Sequence, residues 1–197
     1  MVKVILNGIE KEFESGLFGS FGELLKNVLP EGHVLKTLKI NNKDIPVAFV
    51  DELKGARLDE ELLIELETQD TMNFLKETLN DVLGYIKHVK TLLPQVASSI
   101  LTGEEAGWKA IKDLAEGLSA MENLRNSTIQ ITKLNDNELA LGTNKSDVTL
   151  ILKELVEVLD RKDNFEISDV IENKIPDVLD YYIEYFSKVL ETIEHVN

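Results

Sequence analysis

The chain has 197 residues, no cysteine, and 21 basic against 36 acidic side chains, which gives a net charge of −15. Without cysteine it forms no disulfide, thiolate nucleophile or cysteine-based zinc site. The acidity is spread along the chain, so the sequence offers no positive surface for nucleic acid or for an anionic membrane. Its apolar runs are also far too short to span a bilayer. We therefore expect a cytoplasmic protein with no nucleic-acid or membrane partner.

A β-hairpin followed by a short helix is predicted at the start of the chain. Apolar and polar side chains alternate over residues 2–14 on both sides of Asn7-Gly8. An Asn-Gly pair favours a two-residue turn in which both residues have positive φ angles. Ser20 and Glu23 then form a capping-box pattern, which predicts a helix over residues 21–29.

The alternation resumes after this helix and predicts further strands. These are residues 34–40, a short extended piece at 47–50 that can pair at an edge, and residues 61–67. The resulting order β-β-α-β-(β)-β resembles the β-grasp fold of ubiquitin-like and sulfur-carrier domains. A sulfur carrier ends in a free Gly-Gly tail, whereas here the last strand continues into Thr68-Gln69-Asp70. The carrier chemistry is therefore not expected.

From Thr71 the apolar side chains recur at the helical period of about 3.6 residues. Helices are predicted from Thr71 to about residue 101, from Glu104 to about residue 131, from Ser146 to about residue 160, and from Ser168 onward. Pro94 predicts a kink or a split in the first of these, and Pro176 predicts a kink or the start of the last long helix. The sequence thus predicts an α+β protein: a β-grasp-like domain at 1–69 and an antiparallel bundle of about four helices at 70–197.

The whole layout resembles an uncharacterised bacterial family, found in Firmicutes and Thermotogae, with a small strand-rich head and a helical body. The resemblance is carried by Leu38-Lys39-Ile40-Asn41, by residues 63–68, and by the stretch from Gly103-Glu104-Glu105 to Gly117-Leu118. It implies the fold and no activity, since none is known for that family.

No pattern in the sequence predicts a catalytic, cofactor or metal site. Di-iron bundles need Glu-x-x-His motifs, which are absent, and the nucleophile elbow Gly-x-Ser-x-Gly does not occur. The three histidines, His33, His88 and His195, fall in unrelated segments. The glycines before the first helix leave one alternative open, an anion held at the N-terminus of that helix. No Gly-Lys-Ser/Thr follows them, so a turn into the helix is the preferred interpretation.

An interaction surface is instead predicted on the last helix. Tyr182 and Phe186 belong to its core stripe, while Tyr181 and Tyr185 lie on the adjoining flank, where one bundle need not bury them. Tyrosine suits interfaces because it combines a large apolar area with a polar tip. We therefore expect a non-enzymatic adaptor with Trp108, Tyr181 and Tyr185 as anchors, binding an unidentified protein or a second copy as a homodimer.

A second interpretation stays open. The four helices can enclose a seam that contains Asn126, Thr128 and Gln130. Such a polar cavity would make the protein a small-molecule or metal binder.

Overall fold

The structure of the chain, a computed structural model, describes residues 1–58 and 61–195. The chain divides into two compact units, Met1–Leu75 and Lys76–Asn197. The first contains a mixed sheet and the second is helical, so the predicted α+β class is confirmed. The predicted domain boundary between residues 69 and 70 stays a prediction.

The first unit is built around a five-stranded sheet. Its elements are β1 (Val2–Leu6), β2 (Ile9–Phe13), α1 (Phe21–Val28), β3 (His33–Ile40), β4 (Lys43–Ile45), a 3₁₀ turn (Val47–Phe49), α2 (Val50–Leu53) and β5 (Leu62–Asp70). The strand order is β2-β1-β5-β3-β4, in which β1 and β5 are parallel and the other pairs are antiparallel. This arrangement agrees with the predicted β-grasp-like unit.

The predicted turn and cap are both present. Asn7 and Gly8 have φ angles of 49° and 80°, as a turn with two left-handed residues requires. Ser20 caps α1, because its side chain accepts a hydrogen bond from the Glu23 amide at 3.3 Å. The Glu23 carboxylate in turn accepts from the amide of Gly19 at 2.7 Å. The local sequence therefore fixes where this helix begins.

One strand of the first unit differs from the sequence prediction, and one alternative that the sequence left open can be decided. Residues 47–50, expected as an edge strand, form the 3₁₀ turn and the start of α2, because β4 has already paired with β3. The start of α1 favours the preferred interpretation, a turn into the helix, over the alternative of a bound anion. The amides of Phe21 and Gly22 donate to the backbone oxygens of Ala56 and Lys54 at 2.8 and 2.9 Å, so these donors are already occupied.

The second unit contains long helices with short connections. The helices are α3 (Thr71–Leu101, which starts in the first unit), α4 (Glu105–Thr132), α5 (Lys145–Arg161), α6 (Asn164–Asn173) and α7 (Ile175–His195). Pro94 lies inside α3, so the predicted split there is wrong. Asp163 starts α6 as a separate helix, since its carboxylate accepts from the amides of Phe165 and Glu166 at 3.0 and 3.1 Å. The sequence predicts α6 and α7 as a single helix from Ser168 onward, which is why about four helices are expected from it.

Helix α7 is the core of this unit. Its buried side chains are Ile175, Val178, Leu179, Tyr181, Tyr182, Tyr185, Phe186, Val189, Leu190 and Ile193. Pro176 is its second residue, so the interpretation of this proline as the start of the last helix is the right one. Among the described residues, no helix is both long enough and apolar enough to cross a membrane.

Candidate functional site

The flank of α7 that was predicted to bind a partner is buried within the chain. Tyr181 and Tyr185 are both 0% exposed. The Tyr181 hydroxyl donates to Asp136 Oδ2 at 2.9 Å, and the Tyr185 hydroxyl donates to the backbone oxygen of Leu134 at 2.9 Å. The loop between α4 and α5 therefore covers this flank and satisfies both polar tips. The prediction that Tyr181 and Tyr185 are exposed anchors is therefore wrong.

A buried arginine lies between these tyrosine rings. Arg125 of α4 is 6% exposed, and its guanidinium pairs with Asp136 and, at 3.5 Å, with Glu122. The guanidinium carbon lies 5.9 Å from the ring centre of Tyr181 and 5.2 Å from that of Tyr185. A cation over two aromatic faces and beside two carboxylates is well compensated for its loss of water. We call Glu122, Arg125, Asp136, Tyr181 and Tyr185 the arginine cluster.

The protonation of the arginine cluster follows from burial and from its ion pairs. Burial raises the pKa of Tyr185 to about 12, and burial also raises the pKa of Tyr181 well above its ordinary value. For Arg125 burial opposes the charge, but the hydrogen bond to Asp136 and the nearby negative charges keep its pKa above the usual value. The phenols therefore stay neutral and the arginine stays charged at neutral pH. The two phenols and the guanidinium are therefore not suited to exchange protons near pH 7.

The next residues along α7 hold the same loop by its backbone. Glu184 accepts from the amides of Gly142 and Thr143 at 2.8 and 3.4 Å, and Lys188 donates to the backbone oxygen of Ala140 at 2.8 Å. The amide of Gly142 and the neighbouring Lys188 lower the pKa of the Glu184 carboxyl. Four side chains of α7, at spacings of three and four residues, thus fix a loop that has no helix or strand of its own.

A polar cleft opens beside this loop. It has a volume of about 470 Å³ and is lined by Gly142, Thr143, Asn144, Asp147, Val148, Ile151, Asp177 and Asp180. Asp180 is paired with Lys90 at 2.6 Å, which leaves Asp147 and Asp177 as the carboxylates with no ion pair among the described residues. Among all the residues that the structure describes, no group of three or more histidine and carboxylate side chains is arranged to hold a metal ion.

The seam predicted between the helices does not form. Thr128 is buried, but its hydroxyl donates to the backbone oxygen of Leu124 in its own helix at 2.8 Å. Asn126 and Gln130 are exposed on other faces of α4. No cavity can be built from three side chains that point in different directions, so this prediction is wrong.

Apolar surface remains uncovered on α3. The α3 stripe consists of Val82, Tyr85, Val89, Leu92 and Val96, whose spacings alternate between three and four residues and therefore place them on one face. Tyr85 is 48% exposed and Leu92 is 39% exposed, while the three valines are half-buried. Trp108 of α4 is 38% exposed, so its side chain is accessible as predicted, although its role as an anchor is untested.

Two details define the surroundings of the α3 stripe. A Cβ atom added at Gly117 of α4 would lie 3.0 Å from the Tyr85 hydroxyl, so Tyr85 extends over α4 at a residue without a side chain. On the other side the α3 stripe is bordered by the exposed polar residues Asp81, His88 and Gln95. The stripe is therefore an apolar band with a polar margin.

One family profile matches this chain, over residues 77–179. The chain belongs to the DUF8042 family. Its description is a domain of unknown function, which agrees with the expectation of an uncharacterised family. No curated protein and no solved structure matches the chain. The predicted bacterial distribution of the family stays a prediction.

The DUF8042 segment contains the α3 stripe and only part of the arginine cluster. Glu122, Arg125 and Asp136 lie within it, whereas Tyr181 and Tyr185 lie just beyond its last matched residue. The sequence did carry a signal for both features. Arg125 follows Leu114, Leu118 and Met121 at core spacing, and the residues of the α3 stripe recur every seven residues.

Proposed function

We propose that this DUF8042 protein is a non-enzymatic binding module that docks an amphipathic helix of another protein on the α3 stripe. The observation that carries the proposal is the exposure of Tyr85 and Leu92 on an apolar band of α3. A helix docks in such a place by inserting side chains spaced three and four residues apart. The valines of the stripe alternate with Tyr85 and Leu92 at spacings of three and four residues, the spacing at which two helices pair.

The non-enzymatic part of the proposal rests on the ionisable groups. Active sites usually hold an acid or base whose pKa is shifted toward its working pH. Among the residues that the structure describes, the large pKa shifts belong to tyrosines, are caused mainly by burial, and move the phenols away from neutrality. The hydroxyls of Tyr181 and Tyr185 bind the loop between α4 and α5, and that of Tyr182 binds Glu122 of α4, so all three hydroxyls have a structural use.

The choice of another protein over a second copy rests on charge. The chain carries a net charge of −15, so two copies repel one another, and the repulsion grows as salt is removed. The exposed margin of the stripe includes Asp81 and no lysine or arginine among its three residues. A helix with basic residues beside its apolar face fits this margin better than a copy of α3.

The experiment is copurification from the native cell, combined with mass measurement by light scattering. The stripe variant carries Tyr85→Ser and Leu92→Ser. The matched control carries Leu150→Ser and Val156→Ser on α5, where the side chains are 62% and 57% exposed. We expect one protein to copurify with the wild type and the control and to be lost from the stripe variant, while the isolated chain is monomeric.

The proposal is wrong if the stripe variant retains the same copurifying proteins as the control. If the wild type and the control are dimers and only the stripe variant is a monomer, the α3 stripe binds a second copy of the chain and not another protein. Trp108→Ala in the same assay tests the remaining predicted anchor. Its effect must match that of the stripe variant if Trp108 contacts the same helix.

The second candidate function is binding of a small molecule between the helices. The cleft of about 470 Å³ beside Gly142 and Asn144 supports it, with Asp147 and Asp177 at its wall. A thermal-shift series with mono-, di- and triamines tests this function, since a ligand of the folded state raises the melting temperature. Equal shifts in the wild type and in the variant Asp147→Asn with Asp177→Asn would refute it.

A further inference from the structure

A second cleft, in the first unit, lies between α1 and the segment that contains α2. One wall of this cleft is a flank of α1, where helical spacing places Gly22, Leu25 and Lys26 on the same side, and Leu29 extends this wall directly after the helix. Val50 and Lys54 form the facing wall, and Leu35 of β3 also lines the space. All of these residues belong to the same compact unit.

The two walls touch at a glycine. The amide of Gly22 donates to the backbone oxygen of Lys54 at 2.9 Å. A Cβ atom at Gly22 would lie 2.9 Å from that same oxygen and 3.2 Å from Lys54 Cβ, so no other residue allows this approach. The cleft is therefore fixed at one end by a backbone contact, and its width there does not depend on side-chain rotamers.

Beyond this contact the lining is mainly aliphatic. The volume is about 700 Å³, which lies within the range of about 300–1,000 Å³ that is usual for small-molecule sites. Leu25 and Val50 are 4% and 9% exposed, while Leu29 and Leu35 are half-buried and so retain apolar surface in contact with solvent. An apolar chain placed here would remove that surface from water.

The charged groups at the rim are not equivalent. The Glu23 carboxylate accepts from the Gly19 amide at 2.7 Å, and Asp51 pairs with Lys54 at 2.5 Å. Lys26 forms no ion pair with any residue that the structure describes. The rim therefore offers one ammonium group whose hydrogen-bond donors are not used by the described residues, next to an aliphatic lining.

We propose that this cleft binds a small amphiphile with one anionic head group and an aliphatic chain, of the class of medium-chain alkyl carboxylates. The chain lies against Leu25, Leu29, Leu35 and Val50, and the carboxylate accepts a hydrogen bond from the Lys26 ammonium group. One free cation selects a single negative charge. The limited volume selects a small ligand over a protein segment. This site is independent of the binding function proposed for α3.

The test uses the full chain, labelled with ¹⁵N, and octanoate as the probe. We expect saturable shifts of amide resonances that are concentrated in α1, α2 and β3. The variant Lys26→Gln lowers the affinity for octanoate about five- to tenfold, because a charge-assisted hydrogen bond is lost. The control Lys11→Gln makes the same chemical change at an exposed residue of β2 outside the cleft, and it leaves the affinity unchanged.

Two further probes separate the head group from the chain. 1-Octanol has the chain without the charge, so its weaker binding must be the same in the wild type and in Lys26→Gln. Propanoate has the charge without the chain and must not saturate. The proposal is overturned if octanoate does not saturate, if its shifts lie outside the cleft, or if Lys26→Gln and Lys11→Gln bind it equally well.

Discussion

Replacing Arg125 by leucine is expected to destabilise the helical unit far more than the same change at Arg161. Both arginines form an ion pair, but the Arg125 side chain is 7% exposed and that of Arg161 is 58% exposed. Without Arg125, Glu122 still has Lys145 at 2.5 Å, whereas Asp136 keeps only the hydroxyl of Tyr181. The main cost is therefore an unpaired Asp136 carboxylate in a largely buried position.

The size of the effect follows from the exposure of the carboxylate. Breaking a fully buried ion pair costs about 3–5 kcal/mol. The Asp136 side chain is 24% exposed and keeps some hydration, so we expect the unfolding free energy to fall by about 2–4 kcal/mol. For Arg161→Leu we expect about 0–1 kcal/mol, the usual value of an exposed pair.

Urea unfolding monitored by tryptophan fluorescence measures this difference. Trp108 is the single tryptophan of the chain and lies in α4, so its signal reports on the helical unit. At an m-value of about 2 kcal/mol per molar urea, the expected loss moves the midpoint by about 1–2 M. Adding Asp136→Asn to Arg125→Leu is expected to recover part of the loss, because it removes the unpaired charge. Equal midpoints for Arg125→Leu and Arg161→Leu would refute the reasoning.

Two other predictions concern the tyrosines and the glycines. Since burial raises the pKa of Tyr185 to about 12, the unfolded chain loses its phenol proton first, so stability is full below pH 10 and falls as the pH rises toward 12. Urea midpoints measured over this pH range must fall less steeply for Tyr185→Phe than for the wild type. Gly107→Ala is expected to cost about 1–3 kcal/mol, because its Cβ would lie 3.0 Å from the backbone nitrogen of Ile100. The Cβ atom of Gly117→Ala would come close only to the hydroxyl of Tyr85, which lies at the end of a partly exposed side chain. We therefore expect Gly117→Ala to be neutral or stabilising. A melting temperature lowered equally by both changes would contradict this.

The parts of the fold that the sequence predicts well are those that local chemistry determines. Asn7-Gly8 specifies a turn through its φ angles, and Ser20 specifies a helix start through one hydrogen bond across three residues. The change of period near Thr71 likewise marks the onset of α3. Each of these features depends on residues that are close in the sequence, so a single sequence contains the information needed to predict it.

The candidate site could not be predicted in the same way, because its partners are far apart in the sequence. Helical spacing places Tyr181 and Tyr185 on a flank of α7 but does not say what covers that flank. The cover is the loop that contains Leu134 and Asp136, some 45 to 51 residues earlier. A polar loop with no periodicity gave no sign that it packs against a helix, so the flank was interpreted as free.

The attachment of this loop to α7 also has a consequence for the order in which the chain acquires its structure. During synthesis the loop emerges more than 40 residues before Tyr181, Glu184, Tyr185 and Lys188, which hold it. Until then Arg125 and Asp136 have no aromatic surface to shield them from water. We therefore expect the middle of the helical unit to reach its final form only after α7 has been synthesised, since the contacts that close this loop span more than 40 residues.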